Sequence, residues 1–179
     1  HFFRDNYESA MASVPYIASG VTINKIEVWI TNKRANYDQA RNIVAFTDLG
    51  ESSTHIQNTS WGGVPNSSPD NNANGLYAAI RATGFRDFQQ TSTALEGLNG
   101  MEGGTDFEKI ESARLLTSSE YTLNSALGYI SLKSALNQDE VLAVAYEYTY
   151  NGKVYQVGEF STDGSGELRA PNAMALKMP

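Results

Sequence analysis

The dipeptide Asn151-Gly152 limits what this chain can fold into more than any other feature. Both residues take up positive φ readily, so the pair suits a two-residue type I′ turn, whose twist matches that of two antiparallel strands. The flanking residues, 141–150 and 153–160, alternate as strands do. Pairing outward from the turn sets Tyr148 opposite Tyr155 and Tyr146 opposite Val157. Leu142, Val144, Tyr146, Tyr148 and Tyr150 then share one face with Tyr155 and Val157. The other face carries Ala143, Ala145 and Gly158, small enough for another layer to approach closely. Alternating aromatic strands also build outer-membrane barrels, but one hairpin is not a barrel, and a sheet with one buried face accounts for the pattern.

Residues 21–31 alternate too, with a slip. Val21 and Ile23 occupy odd positions, whereas Ile26, Val28 and Ile30 occupy even ones. A one-residue slip turns a strand over, so a β-bulge at Asn24-Lys25 is expected to restore the face. A second strand at 41–46 follows within hairpin reach, and strand-like stretches lie at 107–115 and 128–132. Helical patterning covers 6–14, with Asp5 or Asn6 as cap, Tyr7, Met11 and Val14 on one face, and Pro15 as stop. It resumes over 75–98 through Leu76, Ala79, Ile80, Phe85, Phe88 and Leu95, with Asn74 as cap. Residues 52–74 form a long Ser-, Asn-, Gly- and Pro-rich loop, and loops of that length are usually functional or mobile. The expected fold is α+β: an antiparallel sheet, open or sandwich-like, with two or three packed helices. A chain of 179 residues beginning without Met reads as a single soluble domain, 1–179, cut from something longer.

Composition narrows the function classes. A net charge of −7 argues against nucleic acid or an anionic membrane as partner. The lack of cysteine removes disulfides, thiolate metal sites and thiol catalysis together. No apolar run exceeds the six residues from Val141 to Tyr146, too short for a membrane-spanning helix. Ser, Thr and Asn supply 45 of the 179 residues while charged residues are only 18%, an uncharged polar surface that suits a protein outside the cytoplasm.

Motifs for chemistry are sparse. Hydrolysis by a triad needs a histidine base, and the two histidines are His1 and His55, with no Gly-x-Ser-x-Gly elbow anywhere. A solvated loop histidine accounts better for His55. Paired carboxylates for glycoside hydrolysis are available in Asp48 with Glu51, and in Asp106, Glu108 and Glu111, but each group also fits a plain surface role. Asp70-Asn71-Asn72-Ala73-Asn74-Gly75 imitates the first half of a calcium loop. The acid needed at the twelfth position is Arg81, so a polar turn before a helix explains the same residues. Asp163-Gly164-Ser165-Gly166-Glu167 reads as a flexible turn. No catalytic residue, cofactor or metal ligand is therefore assigned. Trp61 either folds back onto the domain or anchors a partner. With Asp48, Glu51 and the 52–74 loop it makes the candidate partner surface.

Several segments carry a resemblance. The stretch Ser119-Glu120-Tyr121-Thr122-Leu123-Asn124-Ser125-Ala126-Leu127-Gly128-Tyr129-Ile130-Ser131-Leu132 resembles the SprA/Sov family of Bacteroidetes. So do residues 23–33, 41–46 with Asp48-Leu49-Gly50-Glu51, 72–77, 107–116, 139–148 and 151–160, in order along nearly the whole chain. Proteins of that family are large outer-membrane β-barrels, the translocon of the type IX secretion system, needed for motility in gliding species. The resemblance implies a non-catalytic structural or interaction domain, lying outside the barrel wall on the periplasmic or the extracellular side. Its implied partners are other parts of the parent translocon, secretion-system components or exported proteins. The competing classes are a surface polysaccharide hydrolase using paired carboxylates and a calcium-dependent adhesion module.

Overall fold

The Asn151-Gly152 turn has φ values of 50° and 75°, as a type I′ connection requires. It joins β6 (Leu142–Tyr150) to β7 (Lys153–Val157) with Tyr148 opposite Tyr155 and Tyr146 opposite Val157. The computed structural model from which this is read describes residues 2–16, 19–35 and 37–179. The expected bulge is also present. In β1 (Val21–Ile30), Ile23 pairs with Tyr148 and Lys25 with Glu147, which leaves Asn24 as the extra residue. Its side-chain amide donates to Glu147 Oε1 at 3.2 Å and Thr149 Oγ1 at 3.0 Å, fixing the bulge in place.

The sheet is neither open nor a sandwich. β1 pairs antiparallel with β6 along its length and, at its far end, with β3 (Phe107–Leu115). β3 pairs with β2 (Arg41–Phe46), and β2 pairs in parallel with β8 (Met174–Lys177). β8 returns to β6 through Val144 and Lys177, so five strands close into a barrel, with β7 appended to β6. β1 and β2 are thus not hairpin partners, because β3 lies between them. A second bulge, in β3, helps the ring curve. Arg41 pairs with Ala113 and Ile43 with Ile110, and Ser112, at φ 49°, donates its N–H to Asn42 Oδ1 at 3.0 Å.

The small residues of β6 now have a reason. Ala143 stands opposite Trp29 and Ala145 opposite Glu27, all facing the bore with Ile43, Ala45, Ile110, Ala113, Met174 and Leu176. Small barrels fill their interior with side chains, and a large one on one strand needs a small one across from it. Phe160 and Leu168, from outside the strands, complete this cluster. Glu27 is a buried carboxylate, and its charge is met by the Trp29 indole N–H at 3.1 Å and by Ser161 N and Oγ at 3.0 and 2.9 Å.

Three coverings bury the barrel's outer face. The first is α1 (Phe2–Ala12), laid across Val21, Ile23 and Tyr148. It begins before Asp5 and Asn6, so these lie inside the helix and do not cap it. The second is a hairpin of β4 (Tyr121–Asn124) and β5 (Tyr129–Leu132), over Val28, Ile30 and Leu116. The third combines the 52–74 loop with α2 (Leu76–Arg81) and α3 (Thr91–Glu96), over Val44, Phe46 and Phe107. The helical patterning of 75–98 forms two short helices: turns separate α2 from α3, where Thr83 Oγ1 donates to Ile80 O at 2.7 Å and Phe85 turns into the core. A buried ion pair locks this third covering down. Glu159 accepts from Arg86 Nη2 at 2.7 Å, Tyr77 hydroxyl at 2.9 Å and Ala175 N at 2.7 Å. Among the described residues no helix is long and apolar enough to cross a membrane.

Ala145→Leu is expected to overpack the bore and cost about 1–3 kcal/mol, read as a lower urea midpoint. Ala78→Leu, on the exposed side of α2, is expected to leave that midpoint unchanged. Acid gives a second check. Hydrogen bonds from Arg114 and from the Thr117 N–H hold the Glu120 carboxyl down from 4.5 to about 2. A folded-state value below the unfolded one contributes stability that is complete above pH 4.5 and is lost as pH falls toward 2. Glu120→Gln is therefore expected to flatten the loss of stability in that window.

Candidate functional site

The outer face of β6 is covered unevenly, and the uneven part is a cavity of about 340 Å³. Val144 and Tyr146 of β6, with Ile23 and Ile26 of β1, make its floor. One wall is α1, whose Phe2 and Phe3 meet the tyrosines of β6 edge-on: Phe2 with Tyr150 at 5.0 Å, Phe3 with Tyr146 at 5.4 Å and Tyr148 at 5.1 Å. The other wall is the β4–β5 hairpin, through Leu123, Gly128, Tyr129 and Ile130. The two walls touch at Gly128. Its φ is 70°, and a Cβ there would stand 2.5 Å from the Phe3 ring.

One end of the cavity is polar. Lys177, at the end of β8, places Nζ 3.1 Å from Glu51 Oε1 and also donates to Thr47 O. Both side chains are nearly buried, 12% and 13% exposed, so the pair sits in a low-dielectric setting and each charge cancels the other. Tyr146 lies beside them. Its hydroxyl has no hydrogen bond among the described residues, and burial, followed by Glu51 and Tyr148, pushes it well above the ordinary phenol value. It stays protonated and acts as a donor. Apolar walls, a self-neutralised ion pair and one idle hydroxyl make a site equipped to hold a molecule.

Asp48, Glu51 and Trp61 do not form the exposed partner surface expected of them. Asp48 is 3% exposed, because its carboxylate accepts Gln57 N at 2.6 Å and Asn58 N at 2.8 Å and so folds the loop onto itself. Trp61 is 6% exposed and packs in the cluster of Leu76, Ile80, Phe85 and Leu95. Only Glu51 of the three reaches the cavity. The 52–74 loop is tied down further by Asn74, whose amide donates to Asp48 O and Glu51 O at 2.8 and 2.9 Å.

The other sequence candidates serve local structure. Asn74 Oδ1 accepts the Leu76 N–H at 2.9 Å and Asp70 Oδ1 the Asn72 N–H at 2.9 Å, so these two oxygens of the calcium-like run are engaged in turns. Arg81 stands 3.7 Å from Glu167. Asp106 Oδ2 accepts the Glu102 N–H at 2.8 Å, Glu111 is exposed, and Glu108 pairs along the strand with Ala45. Asp163 Oδ2 accepts the Phe160 N–H at 3.1 Å, giving order to the turn read as flexible. His55 is exposed, and His1 lies outside the described residues. Among the described residues no three His, Asp or Glu side chains gather as a metal site.

Sequence reasoning missed Lys177, Phe2, Phe3 and Gly128. Tyr146 carried a signal as a member of the aromatic face of the hairpin, and Glu51 as a member of the candidate partner surface. Gly128→Ala is expected to displace Phe3, cost about 1–3 kcal/mol and raise hydrogen exchange across α1. Gly164→Ala, with open space around it, is expected to change neither. Compared with models of known protein families and with curated proteins, the chain matches none.

Proposed function

We propose that this domain is a non-catalytic interaction domain of a type IX secretion outer-membrane translocon, serving protein export and gliding motility at the cell envelope. Its partners are other parts of the parent translocon, secretion-system components or exported proteins. The family reading rests on the resemblance of the segments quoted above. The observation supporting an interaction role is the apolar surface around the mouth of the cavity. Tyr129, at the rim, is 46% exposed and meets Tyr7 of α1 at 5.8 Å between ring centres. Met11, one turn on from Tyr7 along α1, is 41% exposed, and Val14, expected on the same helix face, lies instead in the turn beyond the helix and is 59% exposed. Tyr7, Met11, Val14 and Tyr129 thus place exposed apolar side chains beside the cavity, and exposed apolar surface of this kind marks interaction sites.

The reading is tested by placing a photo-crosslinking amino acid at Tyr129, at Met11 and, as control, at exposed Glu111 in the full-length protein in its own cells. Adducts with translocon segments, secretion components or exported proteins are expected at Tyr129 and Met11 above the Glu111 background. Background-level adducts together with normal export by a Tyr129→Asp, Met11→Asp variant overturn the reading.

A further inference from the structure

We infer that the cavity between α1, β6 and the β4–β5 hairpin binds an uncharged amphiphile, a single apolar chain carrying a hydroxyl or amide head. The inference rests on the cavity as a binding site and is independent of the secretion assignment.

Size sets the first limit. A volume of about 340 Å³ lies at the low end of small-molecule sites and holds roughly fifteen non-hydrogen atoms at interior packing density. The body of the ligand follows from the walls. Ile26, Leu123, Ile130 and Val144 offer no hydrogen bonds, so that part must be apolar.

The polar end selects the head group. An anionic head would compete with Glu51 for Lys177 and lie against a carboxylate already there. A cationic head would meet Lys177 in the same way. Either leaves one charge uncompensated in a setting where the pair is only 12–13% exposed. A neutral head disturbs neither charge. The groups at this end are complementary to it: the Tyr146 hydroxyl, which donates, and the Glu51 carboxylate, which accepts. A hydroxyl or primary amide supplies both functions in one group.

The test is an amide-resolved NMR titration of the domain with 1-octanoylglycerol below its micelle concentration, with octanoate and octylammonium as charged arms of matched chain length. Saturable shifts confined to Ile26, Leu123, Ile130 and Val144 are expected with the neutral compound, at least tenfold tighter than with either ion. Tyr146→Phe is expected to weaken binding about fivefold, the usual worth of one hydrogen bond, and Ile130→Trp, which fills the cavity, to abolish it. Equal binding of the ions overturns the head-group assignment. No saturable binding by the wild-type domain, or binding indifferent to both variants, overturns the site. Concentration-dependent shifts at the same residues without ligand would show a second copy of the chain covering the cavity, and would overturn it too. None of these outcomes bears on the crosslinking at Tyr129 and Met11, so the two readings fail separately.

Discussion

Trp29 and Ala143 face one another across the β1–β6 pair, and the rest of the architecture follows from that match. A ring of five strands has a narrow bore, so an indole on one strand demands a methyl on the next. Because side chains alternate, putting Ala143 and Ala145 inside sends Val144, Tyr146 and Tyr148 outside. The barrel therefore has two apolar surfaces, and the outer one must be covered by something other than sheet. The Asn24 bulge keeps β1 in phase with this arrangement, since without it Val21 and Ile23 would turn inward at the level where Ile26 and Val28 face out.

The coverings come from segments distant in sequence, and Tyr146 is where they meet. Its ring packs against the cluster under α1, the cluster under the β4–β5 hairpin and the cluster under α2 and α3. Three separately built layers seldom close without a gap at their common corner. Here the gap is the cavity, and the Glu51–Lys177 pair closes its polar end, joining the turn after β2 to the end of β8. Of the carboxylates suggestive of hydrolysis or of calcium, Asp48, Asp70 and Asp106 anchor backbone N–H groups, Asp48 by holding the 57–58 segment.

What was legible in the sequence was local. The β6–β7 register follows from two turn residues, and the β1 bulge follows from a parity change within ten residues. Barrel closure left no such mark. It depends on β8, four residues of an Ala-, Met- and Leu-rich stretch that suits a helix as well as a strand, paired with a partner strand far back in the chain. The exact break between α2 and α3 within 75–98 shows the same limit, because Leu76, Ile80, Phe85 and Leu95 face one core wherever the turns intervene. Asp48 and Glu51 are expected at the surface because they sit beside a polar loop, whereas for Trp61, inside it, the alternative of folding back onto the domain is the one realised. Folding the loop back buried them, and composition does not record that. Glu51 entered the site through Lys177, and no spacing rule links two lone charges so far apart.

The parallel pairing of β2 with β8 also imposes an order in time. β1, β2, β3 and β6 can associate as the chain emerges, but until residues 174–177 arrive the ring stays open, with β2 and part of β6 presenting unpaired N–H and C=O groups. Contacts between segments far apart in a chain form slowly, and open edges in the interval invite pairing with neighbours. The same four residues that complete the barrel therefore decide how long its edges stay open.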